Sequence, residues 1–314
     1  MRRLGISVPL DDVSLADIPD YARRAEALGY TDCWTFENAV FDAFTPLAAA
    51  AVATERMRLG TAIVPVFTRP PGLIAMHACA LADLAPGRFV LGLGSSTKTV
   101  VETWMGIPFG KPRSRVVEVA SVVRRLLDGE KVGALRMARP PSPRVPLFIA
   151  GLGPRMLAAA GQLADGICLF MTGPKIIPEL LAGAGGSLDS MLRLPVLDGP
   201  DPLAVRAQAA RFIVSYALVP YYAAVMERQG FGEEVTAIGA RWAAGDRAGA
   251  PGMVSDAMVA ELILTGDADT MRARIADYRA AGLGCAALAF SAVTSDPAEK
   301  RRRSLALLRT LASA

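Results

Sequence analysis

The stretch Ala80–Gly94, ALADLAPGRFVLGLG, decides the fold class of this chain. It begins as an alanine-rich helical run, breaks at Pro86 and Gly87, and continues into a short apolar run that ends in glycine. A glycine placed after a helix fits the left-handed conformation in which many helices end. The run that follows is short and uniformly apolar, which is typical of a strand buried on both faces. The stretch therefore predicts a helix, a turn and a buried strand.

The same order of helix, glycine-containing break and apolar run recurs along the chain. The other copies are Ala22–Glu37 (ARRAEALGYTDCWTFE), Ala51–Pro65 (AVATERMRLGTAIVP), Met156–Met171 (MLAAAGQLADGICLFM) and Tyr278–Ser291 (YRAAGLGCAALAFS). We expect their glycines to end the helices in the same way. Buried strands that alternate with helices indicate an α/β protein with a parallel sheet.

Runs of this kind predict eight strands, a number that fits a (β/α)8 TIM barrel when spread over about 290 residues. The predicted strands are Arg3–Pro9, Asp32–Glu37, Arg58–Pro65, Arg88–Gly94, Val145–Ala150, Gly166–Phe170, Leu192–Leu197 and Cys285–Phe290. We expect one barrel domain over residues 1–314. A doubly wound sheet is the alternative, and it requires a switch in strand order that a sequence does not show.

Two insertions interrupt the regular alternation. One lies between strands four and five and ends in the proline-rich loop Ala138–Pro146. The other lies between strands seven and eight, Asp198–Gly282, with helical runs at Val205–Gln229 and Val235–Ala244. Long excursions between barrel strands usually build the rim of the active site or a subunit interface.

The composition excludes several classes of site. His77 is the single histidine among 314 residues, which excludes histidine-rich zinc sites and relays of several imidazoles. We expect no metal site. His77 itself lies in an alanine-rich helical run, and helices of a barrel face away from the strand ends. We therefore interpret it as a packed or half-exposed helix residue.

Charge, cysteine spacing and hydropathy predict the cellular location of the protein and exclude some classes of partner. The four cysteines are scattered, which suits reduced thiols in the cytosol. The longest uncharged stretches have 16 and 15 residues, fewer than a membrane span needs, and no signal peptide is evident. The net charge of +4 is not gathered into a basic stripe. We expect a cytoplasmic protein that binds neither membrane nor nucleic acid, with an apolar subunit interface as one source of its hydropathy.

The strand ends, where barrels place their chemistry, carry one carboxylate, Glu37, and no histidine. Paired carboxylates for glycoside hydrolysis and clustered ligands for a divalent metal are therefore poorly supported. Glycines, small hydroxyls and apolar walls remain. Such surroundings suit an organic cofactor that carries its own reactive ring.

Two glycine-rich segments could hold a phosphate of such a cofactor. Gly151, Gly153, Pro154 and Arg155 lead directly into a helix, so that exposed N–H groups, the positive helix end and a guanidinium would meet. Gly92–Thr97 is the weaker candidate, because GxG alone is a weak signal. A tight turn without ligand is the alternative for each, and neither is a nucleotide-hydrolysing P-loop.

Six segments in order make the chain similar to the luciferase-like monooxygenase superfamily. It most resembles the branch of reductases that use the deazaflavin coenzyme F420, including methylenetetrahydromethanopterin reductase. The segments are Ala22–Glu37, RMRLGTAIVPVFTRPP, LADLAPGRFVLGLGSS, WMGIPF, FIAGLGPRMLAAAGQLADG and LTGDADTMRARIADYRAAG. Each is weak alone, whereas six in order over nearly the whole chain are fairly specific.

The resemblance implies a (β/α)8 barrel, usually dimeric, with a flavin or deazaflavin across the strand ends. The family's non-prolyl cis peptide would fall at Ala62 and Ile63, after Thr61 in the third strand. The ring would lie near Gly94, Ser95 and Ser96. The phosphate would lie near Gly151–Arg155.

Three departures from the family pattern limit the function. Many members have an acidic residue followed by histidine after strand two, where this chain has Glu37 and Asn38. Sugar-phosphate dehydrogenases of the branch have a catalytic glutamate where Thr97 stands, and the exit from strand three, Pro65–Pro71, also differs. The resemblance therefore argues against a sugar-phosphate dehydrogenase.

The leading hypothesis is an F420-dependent oxidoreductase that moves a hydride to or from a small organic substrate. Glu37 and Asn38 would line the pocket, with Glu37 as the evident acid or base. An FMN-dependent monooxygenase and a catalytically silent cofactor-binding barrel are the alternatives. A Schiff-base aldolase that uses Lys98 or Lys175 is less favoured, because both lysines fall in loops. Tyr221 and Tyr222 belong either to a buried helix or dimer contact, or to the substrate pocket.

Overall fold

Nine parallel strands form one closed sheet in the computed structural model, which describes residues 3–8, 13–37 and 39–312. The strands are β1 Arg3–Val8, β2 Asp32–Thr35, β3 Arg58–Thr61, β4 Val64–Pro65, β5 Phe89–Gly94, β6 Leu147–Ala150, β7 Gly166–Phe170, β8 Asp189–Asp198 and β9 Cys285–Ala292. β1 pairs with β9, and β5 pairs with both β3 and β4. Since β3 and β4 are two pieces of one barrel strand, the sheet is the eight-stranded barrel that the sequence predicts.

Twelve α-helices surround or extend this barrel within the described ranges. They are α1 Ile18–Ala27, α2 Thr45–Ala51, α3 Pro71–Leu84, α4 Pro112–Leu127, α5 Pro154–Leu163, α6 Ile177–Gly183, α7 Pro202–Ala217, α8 Pro220–Arg228, α9 Gly232–Ala243, α10 Asp256–Leu262, α11 Ala268–Ala280 and α12 Pro297–Thr310. Many of them carry proline in the first two positions. Proline lacks an N–H, but an N–H at these positions would have no acceptor within the helix. The main apolar core lies between the strands and these helices.

The predicted boundaries are correct in outline and wrong in places. Strand β8 is longer than the strand predicted at Leu192–Leu197. Pro9, the predicted end of the first strand, lies outside the described residues. Gly29 and Gly282 follow their helices with φ of +96° and +101°, as the sequence predicts. The prediction is wrong for Gly60, which lies inside β3, and for Gly161, which lies inside α5.

The long excursion after β8 forms helices with a core of their own. The predicted run Val205–Gln229 is two helices, because Pro220 begins α8 and the chain bends there by 113°. The second predicted run corresponds to α9. Apolar side chains of α7, α8, α9 and α10 pack together with Met171 and Leu197 at the ends of β7 and β8. The excursion is therefore anchored on the carboxyl-terminal end of the barrel.

Among the described residues, no single helix is both long and apolar enough to cross a membrane, and α7 with α8 reaches that length and composition together only as a bent pair.

Charged side chains cross the amino-terminal end of the barrel. Arg3 donates from Nε to Asp32 at 3.2 Å and from Nη2 to Asp189 at 2.8 Å, and Arg58 donates to Asp189 at 2.8 Å. Burial raises the pKa of Asp32. Burial also acts upward on the pKa of Asp189, but hydrogen bonds from both arginines outweigh it and that pKa lies below its ordinary value. The four side chains, which we call the charged layer, connect β1, β2, β3 and β8.

An aromatic layer lies directly above the charged layer. Trp34 and Phe148 have ring centroids 5.7 Å apart, and the Arg58 guanidinium lies 5.2 Å from the Phe148 centroid. A Cβ atom at Gly60 would lie 2.2 Å from the Trp34 ring. Position 60 therefore has space for hydrogen alone, because the indole fills the interior of the barrel at this level.

We predict that Gly60→Ala lowers the free energy of unfolding by about 1–3 kcal/mol, since the new methyl group overpacks the interior against Trp34. Urea unfolding followed by circular dichroism measures this. Gly239→Ala is the matched control, because a Cβ at this site in α9 meets nothing within 4 Å. The control should gain about 0.5–1 kcal/mol from helix propensity. Equal behaviour of the two variants would contradict the packing at Gly60.

Candidate functional site

Partly exposed residues encircle the carboxyl-terminal end of the barrel interior. They lie at or just after the strand ends: Phe36, Glu37, Ala62, Ile63, Ser95, Ser96, Ala150, Phe170, Arg193 and Ser291. Deeper interior residues such as Trp34, Phe148 and Met191 are buried. Exposure inside a closed barrel requires an opening, so these residues line a pocket at the end where barrel enzymes place their chemistry.

One side of this pocket is an apolar wall formed by three neighbouring barrel strands. A Cβ atom at Gly94 would lie 2.8 Å from Cγ1 of Ile63 and 3.1 Å from Cβ of Ala150. Position 94 therefore has no space for a side chain, and Ile63 and Ala150 both border its backbone. The peptide between Ala62 and Ile63 is cis, at the place that the family resemblance implies. We call Ile63, Gly94 and Ala150 the apolar wall.

Thr61 supports this wall from beneath. Its side chain is fully buried, and its hydroxyl donates to the Gly92 carbonyl at 2.9 Å and accepts from the Gly92 N–H at 2.8 Å. The hydroxyl thus joins β3 to β5. Among the residues that the sequence assigns to the cofactor, Thr61 lies behind the surface of the pocket rather than in it.

The loop after β5 is fixed by the helical excursion. Ser96 has a φ of +58°, a left-handed conformation that is uncommon outside glycine. Its carbonyl accepts hydrogen bonds from Ser95 Oγ at 3.2 Å and from the Tyr221 hydroxyl at 3.1 Å. Burial raises the pKa of Tyr221, so the hydroxyl stays protonated as the donor. Tyr221 therefore positions the loop from α8.

The predicted phosphate segment continues directly from the apolar wall. α5 begins at Pro154 after Gly153, which provides no side-chain cap for the first N–H groups. A Cβ atom at Gly153 would meet nothing within 4 Å, and Arg155 is exposed. Backbone donors, an open approach and a guanidinium are therefore present together, as an anion requires.

A second guanidinium lies beside this segment, and sequence reasoning missed it. Arg228, at the end of α8, donates to the Leu152 carbonyl at 2.9 Å and pairs with Glu179. The two arginines are 73 residues apart in the sequence, and no local pattern connects them. Arg228 fixes the loop before α5 from the side of the excursion.

Glu37 forms an ion pair that the sequence does not reveal. Nη1 of Arg69 lies 2.6 Å from both carboxylate oxygens, and the Glu37 side chain is 7% exposed. Thr68 Oγ1 and the Ala43 N–H lie 3.4 Å from the same carboxylate. Glu37 therefore joins the end of β2 to the exit from strand three. Its role as acid or base stays a prediction, and Asn38 lies outside the described residues.

His77 lies closer to this ion pair than expected. Its ring stacks on Phe44 with centroids 4.6 Å apart, and the Arg69 guanidinium lies 5.6 Å from the same phenyl ring. Burial and the nearby Arg69 lower the pKa of His77, while Asp42 and Glu37 act in the opposite direction. The half-buried packing agrees with the expectation for a helix histidine. The expectation that it faces away from the strand ends is wrong, because α3 begins at that end of the barrel.

The side of the pocket opposite the apolar wall carries Arg193, a residue that sequence reasoning overlooked. Its Nε lies 3.3 Å from Ser7 Oγ, and its guanidinium carbon lies 4.1 Å from the Phe36 centroid and 5.3 Å from the Phe170 centroid. A lone arginine within the apolar run Leu192–Leu197 was the available signal.

Aromatic side chains from α7 and α8 cover Phe170. The centroids of Tyr216, Tyr222 and Phe212 lie 4.8 Å, 5.8 Å and 6.3 Å from that of Phe170. Burial raises the pKa of both Tyr216 and Tyr222. Of the two interpretations of Tyr222, the structure favours a buried aromatic cluster at the border of the pocket.

The remaining chemistries receive no support from the geometry. Lys98 and Lys175 are both exposed, and Lys98 pairs with Glu102 at 3.5 Å. Neither lysine has the apolar surroundings that a Schiff-base amine needs. Within residues 3–8, 13–37 and 39–312, no group of three or more histidine, cysteine or acidic residues could hold a metal ion.

Fold and pocket together are those of a TIM barrel with a candidate site at the strand ends. The sequence profile described as Luciferase-like monooxygenase matches residues 4–284. The chain is 28% identical to a putative coenzyme F420-dependent oxidoreductase of Mycobacterium tuberculosis over 90% of this chain and 92% of that one. It is 30% identical to 5,10-methylenetetrahydromethanopterin reductase of Methanolobus tindarius over 85% and 87% of the two chains.

The solved structure of coenzyme F420-dependent tetrahydromethanopterin reductase from Methanopyrus kandleri has the same fold. It aligns with a TM-score of 0.76 and 21% identity, over 99% of this chain and 97% of that one. The chain belongs to the luciferase-like monooxygenase family and is an oxidoreductase of that family. The resemblance found in the sequence is confirmed.

We predict that Arg69→Met lowers the free energy of unfolding by about 3–5 kcal/mol, because it leaves the buried Glu37 carboxylate without its cation. The double variant Glu37→Gln/Arg69→Met should lose less than Arg69→Met alone. Urea unfolding of all variants measures both effects.

Arg23→Met is the control for this cycle. Arg23 pairs with Asp20 on the surface, where the side chain is 59% exposed, and its loss should cost at most about 1 kcal/mol. An Arg69→Met loss no larger than that of Arg23→Met would refute the buried pair.

Proposed function

We propose that the protein is a coenzyme F420-dependent oxidoreductase that transfers a hydride to or from a small organic substrate. The observation that carries the proposal is the continuity of the apolar wall with the uncapped start of α5. A ring and a phosphate that belong to one molecule need such neighbouring surfaces. The names of the relatives from Mycobacterium tuberculosis and Methanolobus tindarius support the same conclusion.

The residues present fit a cofactor of this kind. Gly94 has no side chain to cover the wall, and Gly153 leaves open space before the first N–H groups of α5. Ile63 and Ala150 would face the ring, Ser95 and Ser96 would lie at its edge, and Gly151–Arg155 would hold the phosphate. Coenzyme F420 supplies a hydride acceptor or donor when it is bound.

The chain's own groups would then orient the reactants. Tyr221 and Arg228 fix the two loops from α8. Arg69 holds the Glu37 carboxylate at the end of β2, so a proton transfer to Glu37 would compete with that ion pair. Apolar side chains around the pocket exclude water from the reacting atoms. The cytoplasmic location stays a prediction of the sequence.

We further propose that the protein is a homodimer. α3 exposes an apolar stripe of Leu73, Met76, Ala80 and Leu84 along one face. Leu73, Met76 and Leu84 are 41%, 49% and 45% exposed. An apolar stripe of this kind can pair with its own copy about a two-fold axis, as dimer interfaces commonly do.

The cofactor proposal predicts that coenzyme F420 binds the purified protein and that Arg155→Ala weakens binding about tenfold, as the loss of a charge-assisted hydrogen bond would. Fluorescence quenching gives both dissociation constants. The phosphate-free headgroup should bind wild type and Arg155→Ala equally. Arg113→Ala, an exposed substitution at the start of α4, is the control.

The same titration with FMN decides between cofactors. Tighter binding of FMN than of coenzyme F420 would favour the monooxygenase alternative. If neither cofactor binds, the proposed function and the phosphate assignment fail together.

The dimer proposal predicts a mass near twice that of one chain in sedimentation equilibrium. Met76→Glu should shift the protein to the monomer, because it places a charge in the apolar stripe. Leu203→Glu, at an exposed position on α7, should leave the mass unchanged. A monomeric wild type, or a dimeric Met76→Glu variant, would refute this interface.

A further inference from the structure

Two residues at the strand ends have a left-handed backbone although neither is glycine. Ser96, in the loop after β5, has a φ of +58°, and Met171, directly after β7, has a φ of +55°. They are the only non-glycine residues with positive φ in the described ranges 3–8, 13–37 and 39–312. This conformation is unfavourable for a residue with a Cβ atom, so it persists only where the surroundings hold it.

Side chains from one helix hold both of these residues. The Tyr221 hydroxyl, at the start of α8, donates to the Ser96 carbonyl at 3.1 Å. Gln229, which follows the last residue of α8, donates from Nε2 to the Met171 carbonyl at 3.2 Å and accepts from the Gly173 N–H at 2.6 Å. Each left-handed residue therefore has a hydrogen bond from one end of α8.

The position of α8 is itself fixed in the core. Val225 and Met226 of this helix are at most 1% exposed. Nε2 of Gln229 also donates to the Val225 carbonyl at 3.0 Å, which orients the amide of Gln229 relative to the helix. Because α8 is anchored by buried side chains, hydrogen bonds from it can hold a loop in a conformation that the loop alone would leave.

Both left-handed residues adjoin the pocket. Ser96 lies two residues after Gly94 of the apolar wall, in the loop that the resemblance assigns to the ring. Met171 directly follows Phe170, which borders the pocket. The segment Gly151–Arg155 follows β6, which pairs with β5 on one side and with β7 on the other. The two contacts therefore fix the loops on both sides of the predicted phosphate segment.

We propose that Tyr221 and Gln229 are positioning residues that hold Ser96 and Met171 in the left-handed conformation. They keep the loops after β5 and β7 in the form that binds the cofactor. The proposal rests on the proposed function for the identity of this cofactor, whereas the contacts and the φ angles are independent of what binds. Both side chains act through the loops, and no chemical step occurs at either of them.

The first test removes the Tyr221 hydroxyl and measures the binding of coenzyme F420 to the full chain by fluorescence quenching. In Tyr221→Phe the dissociation constant should rise about fivefold, as expected for the loss of one hydrogen bond that holds the bound conformation. Tyr30→Phe is the matched control. Its hydroxyl donates to the Leu308 carbonyl at 2.9 Å, just before β2 at the other end of the barrel. A folded Tyr221→Phe variant that binds as tightly as Tyr30→Phe overturns the proposal.

Glycine at position 96 distinguishes positioning from a general loss of stability. Glycine adopts positive φ without the cost that a Cβ atom brings, so a loop with Ser96→Gly no longer depends on the Tyr221 hydroxyl. In this background Tyr221→Phe should raise the dissociation constant by less than about twofold, because the two changes act on the same backbone conformation. A fivefold loss in both backgrounds would mean that Tyr221 acts by another route, which overturns the proposal.

Amide hydrogen exchange examines both loops without a ligand. Tyr221→Phe should accelerate exchange in residues 95–101 by about fivefold, because the loop opens more often. Gln229→Leu should accelerate exchange at Gly173 by a similar factor and should also weaken the binding of coenzyme F420. Tyr30→Phe should leave both segments unchanged. Unchanged exchange in the first two variants overturns the proposal. Should Gln229→Leu fail to fold, Tyr221→Phe and its glycine background still decide.

The wild-type titration separates this proposal from the proposed function. Without any binding of coenzyme F420 to wild type, the cofactor is refuted, and faster exchange in the two variants still supports positioning by Tyr221 and Gln229. If wild type binds coenzyme F420 and the two variants match it in binding and exchange, the positioning alone is refuted.

Discussion

The ion pairs of Arg3 and Arg58 with Asp189 fill the amino-terminal end of the barrel interior and leave the other end as the way in for a ligand. They connect β1 and β3 to β8, with the Asp32 carboxylate fully buried beside them. Buried charges of this kind are stable only when they are paired with good geometry. The charged layer and the Trp34 layer above it fill the amino-terminal half of the interior. A ligand therefore approaches the interior from the strand ends.

The strand-end pocket has two sides with different chemistry. The apolar wall has no polar side chain, and its form depends on the missing side chain of Gly94. The opposite side has a cation, hydroxyls and aromatic rings around Arg193. An aromatic ring suits the first surface, whereas a small polar molecule suits the second. The difference between the two sides explains how one pocket could hold two reactants in a fixed order.

The sequence predicts the barrel because helix and strand patterns are local and repeat in one order from Ala22 to Ser291. It also predicts the glycine segments of the site, since glycine after a strand is visible without a structure. Pairs formed across the fold are not visible in this way. Glu37 and Arg69 are 32 residues apart, and neither position shows a partner. Arg193 interrupts an apolar run, which the sequence does show, but its neighbours come from other strands and the sequence does not show them.

Helix α8 holds two loops at a fixed spacing. Tyr221 bonds to the loop after β5, and Arg228 bonds to the loop after β6. Seven residues of helix place these side chains on one face about 10 Å apart. The length of this part of the helix therefore sets the distance between the two loops. A longer or shorter α8 would change the spacing of these two loops, even if every strand stayed the same.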